Sequence, residues 1–140
     1  MKIKKGSNVL AIRLDEGEEV ISSIKEAALS HDVNAGVIAS FAGALKGCHL
    51  ILGKGLDRSI QAHVEVSGNG NISMYEGNPH VHLHVAAGNY SGSWAGHLTD
   101  GIVDVFCEAF IIPVDLEMTR RYDKSLASSG VAVPYILEFG

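Results

Sequence analysis

Residues Pro79 to Leu98 read PHVHLHVAAGNYSGSWAGHL and hold four of the seven histidines, His80, His82, His84 and His97. From His80 to Ala87 the chain alternates without a break. Successive side chains on a strand point to opposite faces, so Val81, Leu83, Val85 and Ala87 predict a core-facing side. His80, His82 and His84 form a polar row on the other side. Gly88-Asn89-Tyr90-Ser91-Gly92 supplies turn residues. A hairpin centred between Tyr90 and Ser91 sets His97 opposite His84, with Cβ atoms roughly 4.5 to 5.5 Å apart on one sheet face. His82 lies on the same face, roughly 6 to 7 Å along the strand.

Three imidazoles so placed can converge on one ion. Tetrahedral zinc needs Zn–N distances of about 2.0 to 2.1 Å, and three protein ligands leave a fourth position for water or substrate. Nickel, iron and copper also accept three imidazoles, so zinc is the first expectation and another divalent transition metal the alternative. A slip of one residue would send His97 to the apolar face and break the set. A histidine-rich strand facing solvent is the competing reading of the same row. His31, His49 and His63 are isolated and read as surface or partly buried residues.

Working outward, Asn8 to Leu14 predicts a strand, and Val20, Ile21, Ile24, Ala27 and Ala28 recur at helical spacing, so an amphipathic helix is expected over Glu18 to Ser30. Gly36 to Phe41 and Gly47 to Leu52 predict two short strands separated by the small residues Ala42-Gly43-Ala44. Ile60 to Val66 alternates as a half-buried strand, and Ser67-Gly68-Asn69-Gly70 reads as a turn into Asn71 to Tyr75. Ile102 to Ile112 is the longest strand candidate, with Val103, Val105, Cys107, Ala109 and Ile111 on an apolar side. Its other side mixes Asp104 and Glu108 with Phe106, Phe110 and Ile112, a pattern suited to a subunit contact or a site border and equally to a partly solvated sheet face. A polar stretch from Arg120 to Lys124 and an apolar segment from Val131 to Phe139 close the chain.

The 140 residues are 46% hydrophobic and 19% charged, the balance of a globular chain rather than a disordered one. Sixteen glycines against three prolines suit many strands joined by tight turns. No apolar run reaches the roughly 18 to 20 residues of a membrane span. The basic N-terminus lacks the apolar core of a secretory signal. Cys48 and Cys107 form no CxxC motif and read as reduced, buried thiols, which places the protein in the cytoplasm. The net charge is −5, and nucleic-acid affinity rests on neutralising phosphates, so the composition argues against DNA binding. Nucleophile-elbow, phosphate-loop and dinucleotide-binding motifs are absent.

HLHV at His82 to Val85 and AGHL at Ala95 to Leu98 resemble the plant-and-prokaryote-conserved (PPC) domain. So do LDEGEEV at Leu14 to Val20, FAGAL at Phe41 to Leu45, EVSGNGNIS at Glu65 to Ser73, and CEAFI at Cys107 to Ile111. The resemblance implies one α+β domain over residues 1–140, a largely antiparallel sheet flanked by helices and assembled as a homotrimer. The family's HxH…GGH zinc set falls on His82, His84 and His97, with Ala95-Gly96 in place of the double glycine. His80 lies outside that set. Plant members carry DNA-contacting AT-hooks, which makes DNA a partner by family label; this chain has no such hook. The implied role is a zinc-binding assembly module with a regulatory or DNA-associated partner. The alternative comes from acetolactate decarboxylase, whose fold and HxH…H zinc ligands are similar. It implies a metal-dependent lyase or hydrolase acting on a small polar metabolite. Glu65, Glu108 and Arg13 are then candidates for acid, base and anion-binding roles; their plainer reading is as exposed or interface charges.

Overall fold

The computed structural model describes residues 1–140. In chain order the elements are β1 (Lys2–Lys5), β2 (Leu10–Asp15), α1 (Val20–Ser30), β3 (Gly36–Ile51), β4 (Asp57–Ile60) and β5 (Val64–Tyr75). Then follow β6 (Asn78–Asn89), β7 (Gly92–Pro113), β8 (Met118–Tyr122), α2 (Lys124–Ser128) and β9 (Tyr135–Phe139). Strand accounts for 62% of the chain and helix for 11%, which corrects the expected α+β sheet flanked by helices. β3 pairs with β5 and β7, and β6 pairs with the same two strands, so these four close into a barrel. A sheet closed on itself buries its apolar side without a covering helix layer. Only α1 carries an apolar face into the core, through Val20, Ile21, Ile24, Ala27 and Ala28. α2 is five residues long and has none buried.

The alternation in β6 is realised as expected. Val81, Leu83, Val85 and Ala87 are all buried in the core, and the histidines face outward. α1 begins where Glu19 caps it, its carboxylate accepting from the backbone N–H groups of Ile21 and Ser22 at 3.0 and 2.8 Å. The same side chain accepts from Gly101 N in β7 at 3.0 Å, which ties the start of the helix to the barrel.

Three local expectations are corrected. The two short strands at Gly36 and Gly47 are one strand, β3, which bends through register shifts instead of stopping. Ile60 to Val66 divides between β4 and β5. Gly68 and Gly70, read as turn residues, lie inside β5, where a Cβ would run into the carbonyl oxygens of His84 and His82. Glycine is there because β6 packs too close for any side chain. A further surprise is Val105. Its parity in the sequence puts it on the apolar side, but a bulge gives it a φ of 66° and leaves it 62% exposed. Two β7 residues, Val105 and Phe106, have no partner across from the Gly43–Ala44 step of β3, and the extra length is pushed outward.

Candidate metal centre

The register of the β6–β7 hairpin decides the site. His84 pairs with His97 and Asn89 with Gly92, as the centring between Tyr90 and Ser91 requires. His82 stands two residues along the same face of β6. Ring centroids are 4.9 Å apart for His82–His84, 5.3 Å for His82–His97 and 5.5 Å for His84–His97. One donor nitrogen from each falls within 4.8 Å of the others. Gly96 is required in the matching position of β7, since a Cβ there would meet the carbonyl oxygen of Ile51. Ala95, where the resemblance expects a second glycine, lines the cavity and fits.

Electrostatics keep two of the three rings in ligand form. Burial, followed by the Arg120 charge, pushes His82 down to about 4. Burial, then His84 and Arg120, lowers His97 as well. These rings are therefore neutral near pH 7, each with a lone pair to offer. Cysteine is not part of the donor set. Burial drives the Cys107 thiol up to about 11 and raises that of Cys48. Three imidazoles and no thiolate suit an intermediate-to-soft divalent ion better than magnesium or calcium, which prefer oxygen.

A cavity of about 480 Å³ opens over the three rings. Its floor is β6 and β7, and its outer wall comes from Lys54 in the turn after β3, Arg120 in β8, and Val131, Val133 and Tyr135 near β9. The backbone N–H of Ala132 donates to the carbonyl of Lys54 at 2.8 Å, joining the two parts of that wall. Arg120 donates to Ser73 Oγ at 3.0 Å, to the Tyr135 carbonyl at 3.2 Å and to Asn71 Oδ1 at 2.7 Å. Its Nη2 also lies 3.4 Å from His82 Nδ1. His80 lines the same cavity beside the Tyr135 ring, and its buried Nδ1 has no hydrogen-bond partner.

The remaining sequence candidates lie elsewhere in the single chain. Glu65 is paired with His63 at 3.3 Å, on a cluster that also brings Asp104 within 2.7 Å of His63. Arg13 faces Glu108 across the β2–β7 pair and donates to Asp15 at 2.9 Å. None of Glu65, Glu108 and Arg13 lines the histidine cavity. Sequence reasoning missed Arg120, Lys54 and Tyr135. They belong to no motif, and only the return of β8 and β9 brings Arg120 to His82 and Tyr135 to His80.

The family model of the Plants and Prokaryotes Conserved (PCC) domain matches residues 1–115. The chain belongs to the PCC domain family. Solved PCC-like structures agree in fold. A metal-containing protein from Archaeoglobus fulgidus is 26% identical, with a TM-score of 0.78 over 93% of this chain and 94% of its own. A plant- and prokaryote-conserved protein from Pyrococcus horikoshii is 27% identical, with a TM-score of 0.72 over 88% of each chain. A protein from Bacteroides thetaiotaomicron, provisionally described as DNA-binding, is 22% identical and superposes with a TM-score of 0.85 over 99% of this chain and 96% of its own. No curated protein matches the sequence. The PCC match ends at residue 115, so β8, α2 and β9, with Arg120 and Tyr135, lie beyond it.

Proposed function

We propose that this PCC-domain protein is a zinc-binding homotrimer of the cytoplasm whose metal is held by His82, His84 and His97. The observation that carries the reading is the convergence of three imidazoles within 4.8 Å under an open cavity. The metal-containing relative from Archaeoglobus fulgidus supports it. Self-association is supported by an apolar outer surface on β3 and β7: Val37, Phe106, Phe110 and Ile112 are 37 to 45% exposed. Large apolar groups exposed on paired strands in this way mark contact surfaces. Free, buried Cys48 and Cys107 suit a reducing compartment. No helix is long and apolar enough to cross a membrane.

DNA association, suggested by the description of the Bacteroides relative, finds no support in the charge. A net charge of −5 works against the phosphate contacts on which duplex binding depends. A metal-dependent lyase or hydrolase is the second reading, favoured by one observation: three ligands leave a coordination position facing the cavity. A metal there would act as a Lewis acid toward a small oxygenated substrate. The cavity lining offers no carboxylate to serve as base beside it.

X-ray absorption on the zinc-loaded protein tests the proposal. Three imidazole nitrogens at about 2.0 to 2.1 Å are expected, and sulfur scattering at about 2.3 Å would overturn the ligand assignment. Light scattering should give three times the 14.8 kDa chain mass; a monomer at micromolar concentration would remove the trimer.

A further inference from the structure

The cavity over the histidines has a charge pattern opposite to that of the whole protein. The chain is acidic overall, yet no aspartate or glutamate lines the cavity, while Arg120 and Lys54 both do. Arg120 is part-buried, and its four polar contacts are all to neutral groups: a hydroxyl, a main-chain carbonyl, a side-chain amide and an imidazole. A guanidinium taken partly out of water normally finds a carboxylate or phosphate. This one has none.

Proton bookkeeping on His82 sharpens the point. A neutral imidazole has one lone-pair nitrogen and one N–H. Arg120 can only donate, so the 3.4 Å contact uses the lone pair of Nδ1. A metal on His82 leaves no lone pair at Nδ1: it is consumed if Nδ1 ligates, and replaced by N–H if Nε2 ligates. In either case the Nη2 hydrogen directed at His82 is released. One Nη1 hydrogen is already without a protein acceptor, since Nη1 makes a single contact. Two hydrogens of the guanidinium then await an anion next to the ion. Orphaned His80 Nδ1 adds a polar atom on the same wall, and Ile51, Val131 and Val133 add apolar surface.

We propose that this cavity is a binding site for a small organic carboxylate, held by Arg120 and Lys54 with an oxygen directed to the metal position. The assignment rests on the three-histidine metal reading and names the ligand class for it. An organic acid fits better than inorganic phosphate because part of the wall is aliphatic. Since Arg120, Val131, Val133 and Tyr135 all lie beyond the PCC match, the C-terminal segment sets the ligand preference.

Cobalt-substituted protein titrated with lactate, with its uncharged isostere lactamide, and with inorganic phosphate tests this, read by the visible cobalt spectrum and by calorimetry. Lactate should bind at least tenfold more tightly than lactamide. Arg120→Gln should weaken lactate at least tenfold while cobalt content stays at the wild-type level. Lys54→Met, in an exposed turn where misfolding is not at issue, should weaken it about threefold or more. Equal affinity for lactate and lactamide, or lactate binding unaltered in both variants, would overturn the site. Tighter binding of phosphate than lactate would overturn the carboxylate class. If the protein retains no cobalt, the metal reading fails. Calorimetry on the metal-free protein then decides the carboxylate site separately, by whether lactate binding depends on Arg120 and Lys54.

Discussion

Replacing Gly70 by alanine should damage the site although Gly70 is not one of its residues. In β5 it faces β6, and a Cβ built on it would overlap the main-chain carbonyl of His82, with the Leu83 Cα just behind. No side-chain rotation relieves a clash between a Cβ and a backbone held in the β5–β6 ladder. Overpacking typically costs about 1 to 3 kcal/mol, and a backbone obstacle puts this case at about 3. Gly77 provides the comparison. Its φ is 78° with open space around it, so alanine there carries only the left-handed backbone penalty, about 1 kcal/mol. Unfolding entropy near 2.1 cal/mol/K per residue over 140 residues converts these to Tm losses of about 10 °C and about 3 °C. Calorimetry at one fixed chain concentration removes any contribution from assembly. Gly70→Ala should also lower bound metal, because the displaced carbonyl belongs to His82 itself, whereas Gly77→Ala should leave metal unchanged. A Gly70→Ala protein within about 1 kcal/mol of wild type and fully metallated would refute the close packing of β5 on β6.

Other outcomes follow from the same structure. Leu83→Ala, at a fully buried position beneath the histidine row, should lose about 2 to 5 kcal/mol in denaturant unfolding, and a loss under 1 would contradict its place in the core. The hydrogen bond to Asp104, then that to Glu65, raises the His63 pKa above 6.5. Its stabilising contribution is therefore fully present below about pH 6.5 and fades as pH rises through the raised folded value. An NMR titration should place the midpoint above 6.5, with Asp104→Asn bringing it down; an unchanged midpoint would dismiss the pair. Phe110→Lys, among the exposed apolar groups of β7, should dissociate the proposed trimer in light scattering while the circular dichroism stays native. On immobilised duplex DNA at about 150 mM salt the protein should not be retained.

The histidine hairpin was legible because two local rules act in one short stretch: alternation fixes the faces, and the glycine-flanked turn at Tyr90 and Ser91 fixes the register. The helix at Val20 was legible from the same kind of local pattern. Barrel closure was not, because it depends on β3 and β6 meeting the same two partners, which no window of sequence contains. Gly68 and Gly70 show the limit most plainly. Sequence offers two reasons for glycine, a turn or a close approach, and only the neighbouring strand distinguishes them. Val105 was misplaced because one bulge inverts the parity that the reading relied on. Arg120 and Tyr135 reach the cavity by a long return of the chain, with no spacing rule to announce it.

The most direct test is metal content in purified wild-type protein and in His82→Ala, His84→Ala and His97→Ala, with His80→Ala as control. Wild type and the His80 variant should carry one ion per chain, and each of the other three should lose it while remaining folded. Full occupancy in those three variants, or a folded wild-type protein that takes up no divalent transition metal, would contradict the account.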